Sequence, residues 1–262
     1  MLVSKADRTK RAAREKVAQM RAQERRRHRR RAWILGISAA VIVVAVTAVV
    51  LIVVLPGGGP TAAAGGPAAR KLAPLTTLGT LRPAGPAGPA GAEGVPVPAA
   101  APLAGLATAV TGQPADGISC QTSEQTIFHI HAHLAIFVNG AARQVPAAIG
   151  IPVPQVQQSA TGSFIGGGSC FYWLHTHAAD GIIHIESPVQ RTYTLGNFFD
   201  EWGQPLGPDR VGPATGPVVA IYDGSRYEGN PRDIPLTAHA QIQLEVGKPL
   251  IAPVQITFPG GL

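Results

Sequence analysis

Eight histidines occur in 262 residues, and six of them fall between 129 and 184. Three stand in "HIHAHLAIFVNG" (129–140): His129, His131 and His133. Three more stand in "LHTHAADGIIHIE" (174–186): His175, His177 and His184. On an extended strand, side chains two apart share one face. Each imidazole titrates near neutrality, so an unligated cluster turns into mutually repelling cations as pH falls. An ion that takes the ring lone pairs holds the rings neutral and removes that repulsion. The chemistry the pattern points to is transition-metal binding, by Zn²⁺ or Cu²⁺. The only methionines are Met1 and Met20, far from the histidines, which argues against a Met-rich Cu(I) carrier. The bland alternatives are a solvated histidine face and a pH sensor.

Parity within the second stretch sharpens this. His175 and His177 share a face, and His184 shares a face with Glu186. Asp180-Gly181 is a turn signal, so 172–177 and 182–186 should form a hairpin. A loop of 178–181 sets His175 opposite His184, whereas a two-residue turn sets His177 opposite His184. Either even loop gathers His175, His177, His184 and Glu186 on one face. Opposed Cβ atoms lie about 5 Å apart, and such side chains can converge on an ion at about 2.0–2.1 Å. His175, His177 and His184 are therefore the leading ligand candidates. His131 and His133 are candidates for a fourth ligand or a second ion, with His129 beside them. Glu186 and Asp180 are natural acceptors for the ring N–H groups behind the ligands.

H-x-H on a strand with a third His from a neighbour resembles the sites of cupins and carbonic anhydrases. The likeness is partial. Asp180 stands nearest the place of the Glu in the first cupin motif, and the second cupin motif is missing. As an enzyme, the alternative reading, three of His175, His177, His184 and His133 would hold the ion, with Glu186 as base. No G-x-S-x-G, Walker A or Rossmann glycine signature occurs.

The elements that carry these residues are mostly strands. Ile130, Ala132, Leu134, Ile136 and Val138 alternate with the histidines, Ala135 and Phe137, and Asn139-Gly140 supplies a hairpin turn into "ARQVP". "VVAIYDGSRYEG" reads as a second hairpin, turning at Asp223-Gly224, and "AQIQLEV" (240–246) as a closing strand. In "TLGNFFDEWG", Leu195, Phe198, Phe199 and Trp202 form one apolar helical stripe, with Thr194 as N-cap and Gly203 ending the helix. The predicted class is α+β, a β-rich domain. The order of hairpins, helix, hairpin and final strand resembles the β-grasp arrangement of one sheet crossed by one helix. A small β-sandwich or a cupin-like barrel is the alternative.

The charge of +7 is concentrated at one end: 13 of the 22 Lys and Arg lie in residues 1–31 against three acidic residues. Residues 33–55 carry no charge and are long enough, as a helix, to cross the roughly 30 Å hydrocarbon core. The run "RRRHRRR" before this span predicts a cytoplasmic N-terminus by the positive-inside rule. It lacks interleaved aromatics, so anionic lipid is its expected partner and nucleic acid is not. The expected layout is a basic cytoplasmic segment (1–32), a transmembrane helix (33–55), a Pro/Ala/Gly-rich disordered stalk (56–117) and a His-rich β-domain (118–262). Cys120 and Cys170 fall in a compartment expected to be oxidising, so a disulfide is the first expectation and thiol ligation the alternative.

"HIHAHLAIFVNG" together with "CFYWLHTHAADGIIHIESP" and "TYTLGNFFDEWG" resembles a family of membrane-anchored proteins with a His-rich outer domain. The resemblance spans about 118–262 and implies the domain boundary, not an activity. Taken together, the sequence predicts a single-pass, N-inside membrane protein whose outer domain binds metal for sensing, buffering or delivery. A metal-dependent enzyme and a non-catalytic envelope interaction module are the competing classes.

Overall fold

The computed structural model describes residues 71–262. The basic segment, the expected span at 33–55 and the stalk's first residues, 56–70, lie outside them. Among the described residues no helix is long and apolar enough to cross a membrane.

The domain is α+β: a large sheet, two small ones and one α-helix. The strands are β1 (Leu72–Ala73), β2 (Phe128–Val138), β3 (Ala141–Arg143), β4 (Gln155–Ser159), β5 (Gly162–Gly167), β6 (Leu174–His175) and β7 (Ile182–Ser187). After helix α1 (Leu195–Trp202) come β8 (Leu206–Gly207), β9 (Arg210–Val211), β10 (Ala214–Thr215), β11 (Val218–Tyr222), β12 (Ser225–Tyr227) and β13 (Ala240–Val246). The main sheet runs β1-β12-β11-β13-β2-β7-β6, with β3 beside β2. Among the described residues this path has two open ends, β1 and β6. The last strand, β13, lies parallel to β2, with Ile242 beside Leu134. Its other neighbour, β11, is antiparallel, with Tyr222 opposite Ile242.

Alternation decides the two faces of β2. Ile130, Ala132, Leu134 and Ile136 join Ala240, Ile242, Leu244 and Val246 of β13 in the main core. Leu195, Phe198, Phe199 and Trp202 of α1 close that face, as the helical stripe requires. Thr194 and Asn197 form a reciprocal capping box, and Gly203 ends the helix in the left-handed region at φ 67°.

The other face carries the histidines, and it is not wet. On β13, Gln241, Gln243 and Glu245 alternate with the core residues, and their side chains grip the C-terminal tail. Gln243 accepts from the Val254 N–H and donates to the Ile251 carbonyl, while Glu245 accepts from the Ile251 N–H. Gln241 does the same with Ile256. The amide side chains thus stand in for a strand ladder.

The Ala/Gly/Pro-rich stretch corrects the stalk expectation from Lys71 onward, because it packs on the domain as a strap. Arg82 exchanges hydrogen bonds with Leu250 and Ala252, and Gln144 with Ala101 and Leu103. Val95 is fully buried, and Leu103 joins the main core. Such a segment has no apolar periodicity of its own, so its order comes from bonds to residues distant in sequence.

Cys120 and Cys170 are joined by a disulfide, and among the described residues no cysteine is free, so the thiol-ligand alternative falls.

One buried group in α1 opposes the fold. Glu201 is fully buried, and neither carboxylate oxygen has a hydrogen-bond partner among the described residues. Burial, then the nearby Asp116 and Asp200, hold its pKa well above the usual carboxylate range. In the unfolded chain the group ionises near its ordinary value of about 4.3. Its contribution is therefore most favourable below that pH and is lost as pH rises towards the folded value. Glu201→Met should raise stability by about 1–3 kcal/mol at pH 8. The gain should shrink at pH 4, where the wild-type acid is neutral in the folded state and mostly neutral in the unfolded one. Urea unfolding at the two pH values checks this, and equal gains at both would contradict it.

Candidate metal centre

Register builds the site. His131 on β2 stands opposite His184 on β7, and His184 stands opposite His175 on β6. Three imidazoles therefore form one row across three adjacent strands. His129 pairs with Glu186 in the next row. The β6–β7 connection, 176–181, keeps the register in which His175 opposes His184, one of the two allowed by parity. Gly181 makes that turn at φ +87°, and an added Cβ would collide with the Leu134 carbonyl. His177 lies just past β6, where its ring stacks on Phe164 and its carbonyl accepts from the Ile165 N–H.

Hydrogen bonds to carbonyls settle two tautomers. His175 Nδ1 donates to the Tyr172 carbonyl at 2.9 Å, and His177 Nδ1 donates to the Ile165 carbonyl at 2.6 Å. A carbonyl only accepts, so in both neutral rings Nε2 carries the lone pair. Those two Nε2 atoms are 3.1 Å apart. The same separation recurs between His129 Nε2 and His131 Nε2, and between His131 Nε2 and His184 Nδ1. Two lone pairs at this distance repel unless a proton or a cation lies between them. Nitrogens about 2.0–2.1 Å from a shared tetrahedral ion would stand about 3.3 Å apart. The spacing and donor set therefore fit a metal ion.

Ligand-capable atoms gather in overlapping groups: His129, His131, His184 and Glu186; His175, His177 and His184; Glu124, His175 and Glu186. Within each, the atoms lie within 4.8 Å of one another. His184 belongs to both histidine groups. Glu186 stands among the potential ligands rather than behind them, 3.1 Å from His129 Nε2 and 3.5 Å from His184 Nδ1.

Two further residues depart from the sequence reading. His133 stands in none of these groups: its Nε2 lies 3.2 Å from the Asp180 carbonyl. It is therefore not placed as a fourth ligand. Asp180 does not back a ligand either, because its Oδ1 accepts from the Ile182 N–H and shapes the turn. Conversely, Glu93 and Glu124 were missed. Glu93, on the strap, reaches His184 Nε2 at 2.7 Å, and Glu124, four residues past Cys120, approaches His177 Nε2 at 3.5 Å. The signal for Glu93 was its being the sole Glu within the Ala/Gly/Pro-rich segment.

The electrostatics leave the rings ready to ligate. Burial, then neighbouring His184 and His129, push His131 down to about 3. His175 and His177 are lowered by burial and by His184. His184 goes the other way: burial opposes its charge, but bonds to Glu186 and Glu93 raise it to about 9. Burial, then Glu93, raise Asp180 to about 7. His131, His175 and His177 thus offer neutral imidazole beside carboxylates, the protonation state that metal ions require, whereas His184 must give up a proton to ligate.

The Glu93 contact predicts a measurable local effect. The strap turns back around it, with the Gly91 N–H on Val95 and the Val97 N–H on Pro89. A charge-assisted bond contributes about 1.5–3 kcal/mol. Glu93→Ala should therefore speed hydrogen exchange of the Gly91 and Val97 amides at least about tenfold. Unchanged exchange there would show that Glu93 does not hold the strap.

The fold and site thus define an α+β domain with a buried His/Glu cluster under a strap. Compared with protein-family models, curated proteins and solved structures, the chain matches none of them.

Proposed function

We propose that this protein is a membrane-anchored, extracytoplasmic metal-binding protein, taking Zn²⁺ or Cu²⁺ for sensing, buffering or delivery. The observation that carries the reading is the row His131–His184–His175, flanked by His129, His177 and Glu186, with ring nitrogens 3.1 Å apart. His175, His177 and His184 would hold one ion. His129, His131 and Glu186 form the competing group for that ion, because the neutral His184 ring has one lone pair to give. The ion supplies a fixed positive charge that binds the ring lone pairs together. The chain's own residues orient those rings through the Tyr172 and Ile165 carbonyls and exclude water with the strap.

The arrangement that carries the site is β-grasp-like in this reading. Parallel β2 and β13 lie at the centre, with β7 on one side and β11–β12 on the other, and one helix crosses the core face. The uncharged stretch 33–55 and its basic flank support the anchor and its orientation.

The test is elemental analysis of the full chain, expressed without a histidine tag, purified, and dialysed against Zn²⁺ and then Cu²⁺. About one ion per chain is expected, with a raised melting temperature. Trace metal and unchanged melting with both ions would refute the proposal.

A further inference from the structure

Beside the histidine row lies a cavity of about 520 Å³ that the metal reading leaves unused. Its roof is the strap, including Pro86 and Pro98, and its side wall is the C-terminal tail at Val254–Thr257. Its floor is the histidine face of β2 beyond the row: His133, then Ala135, then Phe137. Ala135 lies between two large side chains on that face, so its methyl group leaves the floor low. The volume falls within the range of small-molecule sites, which are mostly apolar with a few convergent polar groups.

Here those polar groups are His133 and Asp180, 4 % and 1 % exposed. Each carries a buried atom with no hydrogen-bond partner among the described residues, His133 Nδ1 and Asp180 Oδ2. The His133 ring spends its Nε2–H on the Asp180 carbonyl, so Nδ1 is an acceptor. Asp180 Oδ1 is already taken by the Ile182 N–H. An unpaired buried acceptor costs free energy that a donating ligand would recover. Glu93 adds a second carboxylate close to Asp180, so the charge balance at this end stays negative even with His184 protonated beside them. Arg143 also lines the cavity, but it pairs with Ile136, which sets its Cβ on the helix side of the sheet.

We propose that this cavity binds a small organic amine, its apolar body under the strap and its ammonium group on Asp180 and His133. The inference does not rest on the metal reading, since His133 and Asp180 stand in none of the potential ligand groups.

The test titrates the full chain in lipid nanodiscs calorimetrically with phenylbutylamine, phenylbutanol and phenylbutanoate. Empty nanodiscs correct for partitioning, and a chelator removes bound metal so that the amine cannot act as a metal ligand. The expected result is saturable, one-site binding of the amine, with the carboxylate at least about tenfold weaker. Ala135→Phe fills the floor and should weaken the amine at least tenfold. Asp180→Asn should weaken the amine tenfold and leave the alcohol nearly unchanged. No saturable binding, a carboxylate as tight as the amine, or an Ala135→Phe variant that folds and keeps wild-type affinity would overturn the proposal. Should Ala135→Phe fail to fold, unchanged amine affinity in Asp180→Asn overturns it alone. Because metal is absent throughout, failure here leaves the metal-binding result standing.

Discussion

His184→Ala strips the full chain of Zn²⁺ and Cu²⁺ to trace levels, while His133→Ala retains the wild-type content. That is the expected result if the row across β2, β7 and β6 is the metal centre. His184 is the one histidine common to both histidine groups, so its loss leaves two rings on one side and two rings with Glu186 on the other. His133, two residues from His131, is bonded to the turn instead. An ion held at a hundred times its Kd stabilises the native state by about 2.7 kcal/mol. The variant should therefore also lose the rise in melting temperature that added metal gives the wild type. His184 is buried, so His175→Gln provides a milder second variant with the same expected direction. Elemental analysis and melting curves decide the matter. A His184→Ala protein that folds and keeps its metal, or equal losses in the two alanine variants, contradicts the assignment.

Removing the disulfide should cost about 4 kcal/mol, the chain-entropy value for a closed loop of this length. Cys120 and Cys170 are 50 residues apart in sequence. The bond matters to the site as well as to stability. Next to it, Gln121 and Phe171 exchange two backbone hydrogen bonds, and the Phe171 ring lies 5.7 Å from that of His175. The same segment carries Glu124 to His177. The Cys120→Ala/Cys170→Ala variant should unfold at a clearly lower urea concentration, and reduction of the wild type should reproduce the shift. Identical midpoints would mean that the surrounding β-structure holds these segments without the bond.

Much of this arrangement was legible in particular residues. Alternation in 130–138 and 240–246 reports which face is core, because strand side chains point to opposite sides by geometry. Leu195, Phe198, Phe199 and Trp202 report the helix, and Thr194 and Gly203 its ends, because capping is local chemistry. The turn at Asp223-Gly224 joins β11 to β12, with Tyr222 opposite Ser225. The histidine face was legible by the same parity, down to a choice between two registers for the 174–186 hairpin. Choosing between them needed the packing around 178–181, where Gly181 meets Leu134.

What covers the histidine face was not legible. A polar side chain such as Gln243 reads as solvent-facing until a tail arrives to bond with it. The residues from Lys71 to Gly117 carry no periodic signal, and the tail after β13 carries little. Their places are decided by hydrogen bonds to partners far along the chain. The sequence by itself determined the histidine-bearing strands, the 218–227 hairpin, the closing strand, the helix and the shared face of the histidines, because each is a matter of spacing. Only the tertiary structure decided that Glu93 joins His184, that His133 turns away to Asp180, and that a cavity opens over Ala135. Those outcomes depend on which distant segment comes to lie on that face, and no local pattern in this chain encodes that choice.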